Sequence, residues 1–144
     1  RDKIDDIMEQ VKCPVAVFVN RSYREGALVS FVLGGMIDVF LLSYLNIMLQ
    51  NGHSVRLFLF ETDDEEFHQC IDDLLAHYAD QIVVVWFAGV EELVTKEKDG
   101  LLVMSHLSYT KLSEDELVMR ELSSLLVIRR NKNKGEKNER LEIG

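Results

Sequence analysis

Residues 28–49 read LVSFVLGGMIDVFLLSYLNIML, 22 positions with few polar side chains. How this stretch is parsed decides the fold. About 20 apolar residues suffice for a helix to cross a bilayer, so a membrane span is one parse. Gly34-Gly35 interrupts the run at its centre, and Asp38 and Asn46 would be costly in hydrocarbon. The better parse is a buried strand, a tight glycine turn and a buried helix over 36–50. That helix stops at Asn51-Gly52.

Upstream, residues 13–21 (CPVAVFVNR) form a short β-rich run after the only Pro. Ahead of it, Ile4, Ile7, Met8 and Val11 recur at helical spacing. Residues 1–12 are therefore expected to be a connecting helix. No apolar core of a signal peptide is present in RDKIDDIMEQ. A chain that opens on Arg1 rather than Met fits a segment of a longer protein or a processed product.

Downstream, apolar runs alternate with amphipathic ones. Residues 55–60 predict a strand. Residues 62–80 predict a helix, with Thr62 and Glu65 as a capping box and Phe67, Cys70, Ile71, Leu74, Leu75 and Tyr78 inward. Residues 81–88 (QIVVVWFA) predict a buried strand, 90–98 a short helix, and 101–106 a strand. Ser113 and Glu116 form a second capping-box pattern, opening a helix to about 123. Residues 125–129 are the last strand. The polar end, 132–144, is expected to be a disordered tail. Residues 13–131 then make one α/β domain.

Continuous apolar strands alternating with amphipathic helices predict a parallel, doubly wound sheet covered on both faces. The pattern from residue 27 onward contains five such strands. Either a 2-1-3-4-5 or a 3-2-1-4-5 order fits. The run 13–21 does not belong to that alternation. Its link to the next strand is only about five residues, and a parallel crossover needs about a dozen. It is an extra N-terminal edge strand, antiparallel, beside 125–129 or crossing to a second subunit.

The chain carries 16 Lys and Arg against 25 Asp and Glu, a net charge of −9. An acidic domain is a poor partner for nucleic acid or anionic lipid, which need a basic surface. Hydrophobic residues make up 47%, enough for a globular core. Cys13 and Cys70 show no CxxC or metal-ligand spacing, so reduced thiols are expected.

Several segments together carry a family likeness. They are 17–21 (VFVNR), 29–35 (VSFVLGG) with Asp38, 100–107 (GLLVMSHL) and 124–129 (SLLVIR). Distributed over 13–131, they resemble the cytoplasmic C-terminal domain of monovalent cation/proton antiporters, sodium/proton or potassium/proton exchangers of bacterial and plant type. That domain is similar to universal stress proteins. The resemblance implies the 3-2-1-4-5 order. It also implies a non-catalytic regulatory domain at the cytoplasmic face of the membrane, as the soluble part of an integral membrane protein. Its partners would be the transport domain of the same polypeptide and a second copy in a homodimer, and it would modulate transport without a cofactor. Family members carry several charges after Gly-Gly. Here Met36-Ile37-Asp38-Val39-Phe40 keeps only Asp38, and the helix is more apolar than a surface helix should be.

The alternative class is a free-standing universal stress protein that binds a nucleotide. Such proteins carry G-x2-G-x9-G-[ST], whose backbone N–H groups cradle phosphates. Residues 105–122 contain no Gly, and neither a Walker A nor a GxGxxG pattern occurs, so nucleotide is not expected.

In an open α/β sheet, ligands sit beyond the carboxyl ends of the strands at the switch point. Gly34, Gly35, Asp38, Ser105 and His106 are expected to converge there as ligand-binding candidates. The plainer reading makes Gly34-Gly35 a tight turn, with Asp38 favouring the helix N-terminus.

Other chemistry is weakly signalled. Asp63-Asp64-Glu65-Glu66, Glu91-Glu92 and Glu114-Asp115-Glu116 fall in first helical turns, where the macrodipole favours anions. His53, His68, His77 and His106 show no zinc spacing, although His106 is a conceivable pH sensor. No GxSxG occurs, and Cys70 falls on an apolar stripe. The helix over 36–50 is expected to show Asp38, Asn46 and Gln50 as a narrow polar stripe. Its surplus apolar surface would need a cover: the leading helix, a second protomer or the rest of a larger protein.

Overall fold

A computed structural model describes residues 15–130, together with Ile4 and Ile7. The expected connecting helix, apart from those two helical positions, and the expected tail at 132–144 lie outside the described residues. No helix of the described residues is long and apolar enough to cross a membrane.

The stretch 28–49 folds as strand, glycine turn and helix. Strand β1 is Val15–Val19 and β2 is Val29–Leu33. After the turn comes a 3-10 segment, Met36–Leu41, and then helix α1, Leu42–Gln50. Next come β3 (Val55–Phe60), α2 (Glu65–Tyr78) and β4 (Ile82–Phe87). A 3-10 turn, Val90–Leu93, precedes β5 (Leu101–Ser105). Helices α3 (His106–Leu112) and α4 (Glu116–Glu121) then lead to β6 (Ser124–Arg129).

The chain is α/β, with one six-stranded, mostly parallel sheet in the order β1-β6-β5-β2-β3-β4. Only β1 is antiparallel. It pairs with β6 in the register Val15↔Arg129 to Val19↔Leu125. β2 lies between β3 and β5 and is parallel to both.

Alternate side chains along each strand point to opposite faces, and each face has its own core. On one, Phe31, Leu33, Leu57 and Leu59 pack against Leu45 and Leu49 of α1 and Phe67 and Ile71 of α2. On the other, Val32, Phe58, Met104 and Val127 pack against Tyr109 and Leu112 of α3 and Val118 of α4. Ile4 and the inner valines of β1 join this second cluster. Ile4 therefore packs on the face opposite α1.

Several expected boundaries move. Thr62 is not the cap of α2. Asp64 is, accepting from Glu66 and Phe67 N–H at 3.0 and 3.4 Å, while Thr62 Oγ1 accepts from Asp64 N–H. Asp115, not Ser113, caps α4 through Val118 N–H at 3.1 Å. A carboxylate at N-cap adds a favourable charge to the helix dipole, which a hydroxyl does not. The expected helix over 90–98 shrinks to the 3-10 turn Val90–Leu93. Helix α3, which had no forecast, starts where β5 ends.

The expected polar stripe on 36–50 is also corrected. Asp38 is 1% exposed, whereas Ile37, Tyr44 and Ile47 are 59%, 41% and 58% exposed. Asp38 turns inward because the 3-10 segment aims it back at the end of β2, where donors await it.

Across the other end of the sheet, Arg56 Nη2 donates to Glu97 Oε1 at 2.7 Å. That bond, with help from backbone and Thr95 donors, lowers the Glu97 carboxyl to about 2. A depressed folded pKa contributes stability above the ordinary glutamate value and loses it as pH falls towards 2. Glu97 is substantially exposed, so solvent screening keeps the effect small. Glu97→Gln is expected to flatten the acid limb of the stability curve between about pH 4.5 and 2. Thermal melts across that window check it: curves that stay parallel would leave the pair without a role.

Candidate functional site

β2 feeds a crossover to β3 on one side and is flanked by β5 on the other, so the strand order reverses beside it. The carboxyl ends of β2 and β5 therefore bound the crevice in which open α/β sheets place ligands. The two glycines there act differently. Gly35 has φ +151° and ψ −164°, a region open essentially to glycine alone. Gly34 keeps close space open: a Cβ there would meet Asp38 Oδ2 at 3.2 Å and Ser108 Oγ at 3.3 Å, so both side chains would have to give by a few tenths of an ångström.

The turn brings Asp38 back onto the chain that precedes it. Asp38 N–H donates to Gly35 O at 3.0 Å. Its Oδ2 accepts from Gly34 N–H at 2.6 Å and from the Ser108 hydroxyl at 2.8 Å. The carboxylate thus ties the β2 turn to α3, 70 residues later in the chain. Its other oxygen, Oδ1, is buried and has no hydrogen-bond partner among the described residues.

Ser105 is buried and caps α3, its Oγ accepting from Ser108 N–H at 3.1 Å. It positions Ser108 rather than the crevice. His106 is the first residue of α3 and is half-buried.

A cavity of about 160 Å³ adjoins this cluster. Its apolar walls include Val32, Phe87, Leu93, Met104 and Leu112. Gly34, Asp38, Ser108 and Lys111 add polar groups. Three of the exposed large apolar side chains, Ile37, Phe60 and Leu107, also line it. Val90 and Lys111 are shared with a wider, shallow hollow lined by Glu114, Asp115, Glu116 and Leu117.

Of the five expected residues, Gly34 and Asp38 line the cavity, and Gly35, Ser105 and His106 do not. Ser108 and Lys111 had no place among the candidates. The one available signal was the Ser105-x-x-Ser108 spacing, an N-cap pattern that starts α3 and carries Ser108 to the crevice.

The anion-binding capacity of the neighbouring strand end is already used. Ala88 and Gly89 N–H donate to Glu92 Oε2 at 2.8 and 2.9 Å, and those two bonds hold the Glu92 carboxyl below its usual range. Among the described residues, no group of three or more His, Cys, Asp or Glu is placed to hold a metal ion. Comparison with known protein families, with curated proteins and with solved structures finds no match to this chain.

Proposed function

We propose that this chain is a non-catalytic regulatory domain of a monovalent cation/proton antiporter, lying at the cytoplasmic face of the membrane. Its partners are the transport domain of the same polypeptide and a second copy of itself. The observation that carries the reading is the solvent-facing apolar surface of Ile37, Tyr44 and Ile47. A lone apolar side chain on a surface is ordinary, whereas three on one short segment and its helix are a reason to propose a contact surface there. Ile4 does not cover it, because that residue packs on the other face of the sheet.

The strand order supports the universal stress protein-like part of the reading. Over the five parallel strands, β4-β3-β2-β5-β6 corresponds to 3-2-1-4-5, with β1 added at the edge. Regulation then follows from linkage: contacts that differ between transport states shift their populations by the difference in contact energy. The nucleotide-binding alternative is less well supported. β5 ends at Ser105 and α3 begins at His106, so no glycine loop stands between them to wrap a phosphate.

Fractionation of native cells, followed by immunoblotting for this domain, tests the proposal. The expected band is far heavier than 16.6 kDa and stays with the membranes. A soluble band at the chain's own mass would overturn it.

A further inference from the structure

β4 ends the sheet, so one side of it has no strand beside it among the described residues. The parity of its backbone tells which groups face outward. Glu61 N–H, just past β3, donates to Phe87 O at 2.9 Å, so the peptide groups of Phe87 face β3. Along a strand, the N–H and C=O of successive residues alternate between its two sides. Those of Val83 and Val85 therefore also face β3, and those of Val84 and Trp86 face the open side. Neither Val84 nor Trp86 has a main-chain partner on that side among the described residues. The next outward N–H, that of Ala88, is already taken by Glu92 Oε2 at 2.8 Å.

Open edges invite pairing with another strand, and proteins usually guard them with a lysine, a proline or a bulge. β4 has none of these. Its sequence, IVVVWF, carries no charge and no proline, and its register with β3 runs one-to-one from Val55↔Ile82 to Phe60↔Phe87. One face beside the edge is bare as well. By alternation, Val83, Val85 and Phe87 point to the side of the sheet that α3 and α4 cover. The crossover after β4 carries only the 3-10 turn Val90–Leu93 in place of a helix, and Val83 is 63% exposed.

Charge selects the occupant. Copies of a chain with net charge −9 repel one another, and the repulsion is least where the contact surface is neutral. β4 offers a run of uncharged residues on an edge whose backbone is free to pair. A two-fold axis brings identical strands together antiparallel, and such a contact closes on itself instead of growing into a fibre.

We propose that β4 is a dimerisation edge, on which two copies of this chain pair antiparallel and join their six-stranded sheets into one. The Val84 and Trp86 N–H groups donate to carbonyls of the second copy's β4. Val83 and Val85 of the two copies meet on the bare face, as β-branched neighbours across a strand pair. The proposal stands on the strand edge and does not rest on the antiporter reading, whose contact surface of Ile37, Tyr44 and Ile47 lies on the opposite face.

Sedimentation equilibrium of the whole chain from micromolar to submillimolar, with amide hydrogen exchange at both extremes, tests it. The mass is expected to rise with concentration from 16.6 kDa towards twice that value. The Val84 and Trp86 amides should be protected only at the high concentration, whereas those of Val85 and Phe87 are protected at both. Val83→Lys alters an exposed side chain, so its circular dichroism should match the parent, and it should raise the dissociation constant at least ~10-fold. If that variant does not fold, amide exchange in the parent chain decides. A chain that stays monomeric would leave the edge to a strand of some other protein and overturn the proposal. So would a dimer that Val83→Lys leaves intact, or one whose Val84 and Trp86 amides exchange equally fast at both concentrations. Pairing through Ile37, Tyr44 and Ile47 would give that last pattern, and would leave the antiporter reading standing.

Discussion

Phe67→Ala is expected to lower the unfolding free energy by about 3–5 kcal/mol, the usual cost of emptying a buried phenylalanine site. Phe67 is fully buried on the inward stripe of α2, amid leucines of β2, β3 and α1. Its ring meets Trp86 edge-on, at 6.3 Å between centroids. The leucines of β2 and β3 belong to strands paired on both sides, which limits how far the walls can collapse into the hole. A domain of this size should melt roughly 10–25 °C lower. Trp86 is the chain's only tryptophan and also stacks on His68 at 4.8 Å, so its fluorescence reports the change directly. A shift of only a degree or two would mean that α2 does not pack on this face.

The same helix shows why some features were legible in the sequence and others were not. The stripe of α2 can be read because its apolar spacing repeats over a 14-residue helix. Its cap is harder, because Thr62, Asp63 and Asp64 are all competent and only tertiary packing chooses among them. Helix α3 buries just Tyr109 and Leu112 in seven residues, too few for a period to emerge. Half of the site is therefore hidden. Gly34 and Asp38 stand out because a double glycine follows an apolar run and precedes a carboxylate. Ser108 and Lys111 depend on α3, which a strand-to-turn reading of 101–106 passes over. The inward aim of Asp38 is only partly legible locally, because one of its donors, Gly34 N–H, is a near neighbour and the other is a hydroxyl far away in the chain.

Gly100→Ala is expected to destabilise the domain by about 1–3 kcal/mol, although two effects of opposite sign compete. An alanine reduces the freedom of the unfolded chain, worth about 0.4–1 kcal/mol in favour of folding. Against that, a Cβ at Gly100 would lie 2.8 Å from Leu28 O and 3.3 Å from Glu97 O. Both are main-chain oxygens already in use. Leu28 O accepts from Leu101 N–H at 3.0 Å, and Glu97 O accepts from Gly100 N–H at 3.2 Å. A flexible side chain could swing aside, but these carbonyls are fixed by the start of the β2–β5 ladder, where Val29 faces Leu101. Relief requires β5 to move relative to β2, and the far ends of these strands carry Gly34 and Ser105. The steric cost therefore exceeds the entropic gain, and the melting temperature should fall by roughly 4–15 °C. Amide exchange should quicken along β2 and β5 before it does along β3 and β4, because the strain enters at the β2–β5 pair. An alanine variant that melts at or above the parent would show that the two strands can part there at little cost. The close approach of β5 to β2 would then not be what excludes a side chain at position 100.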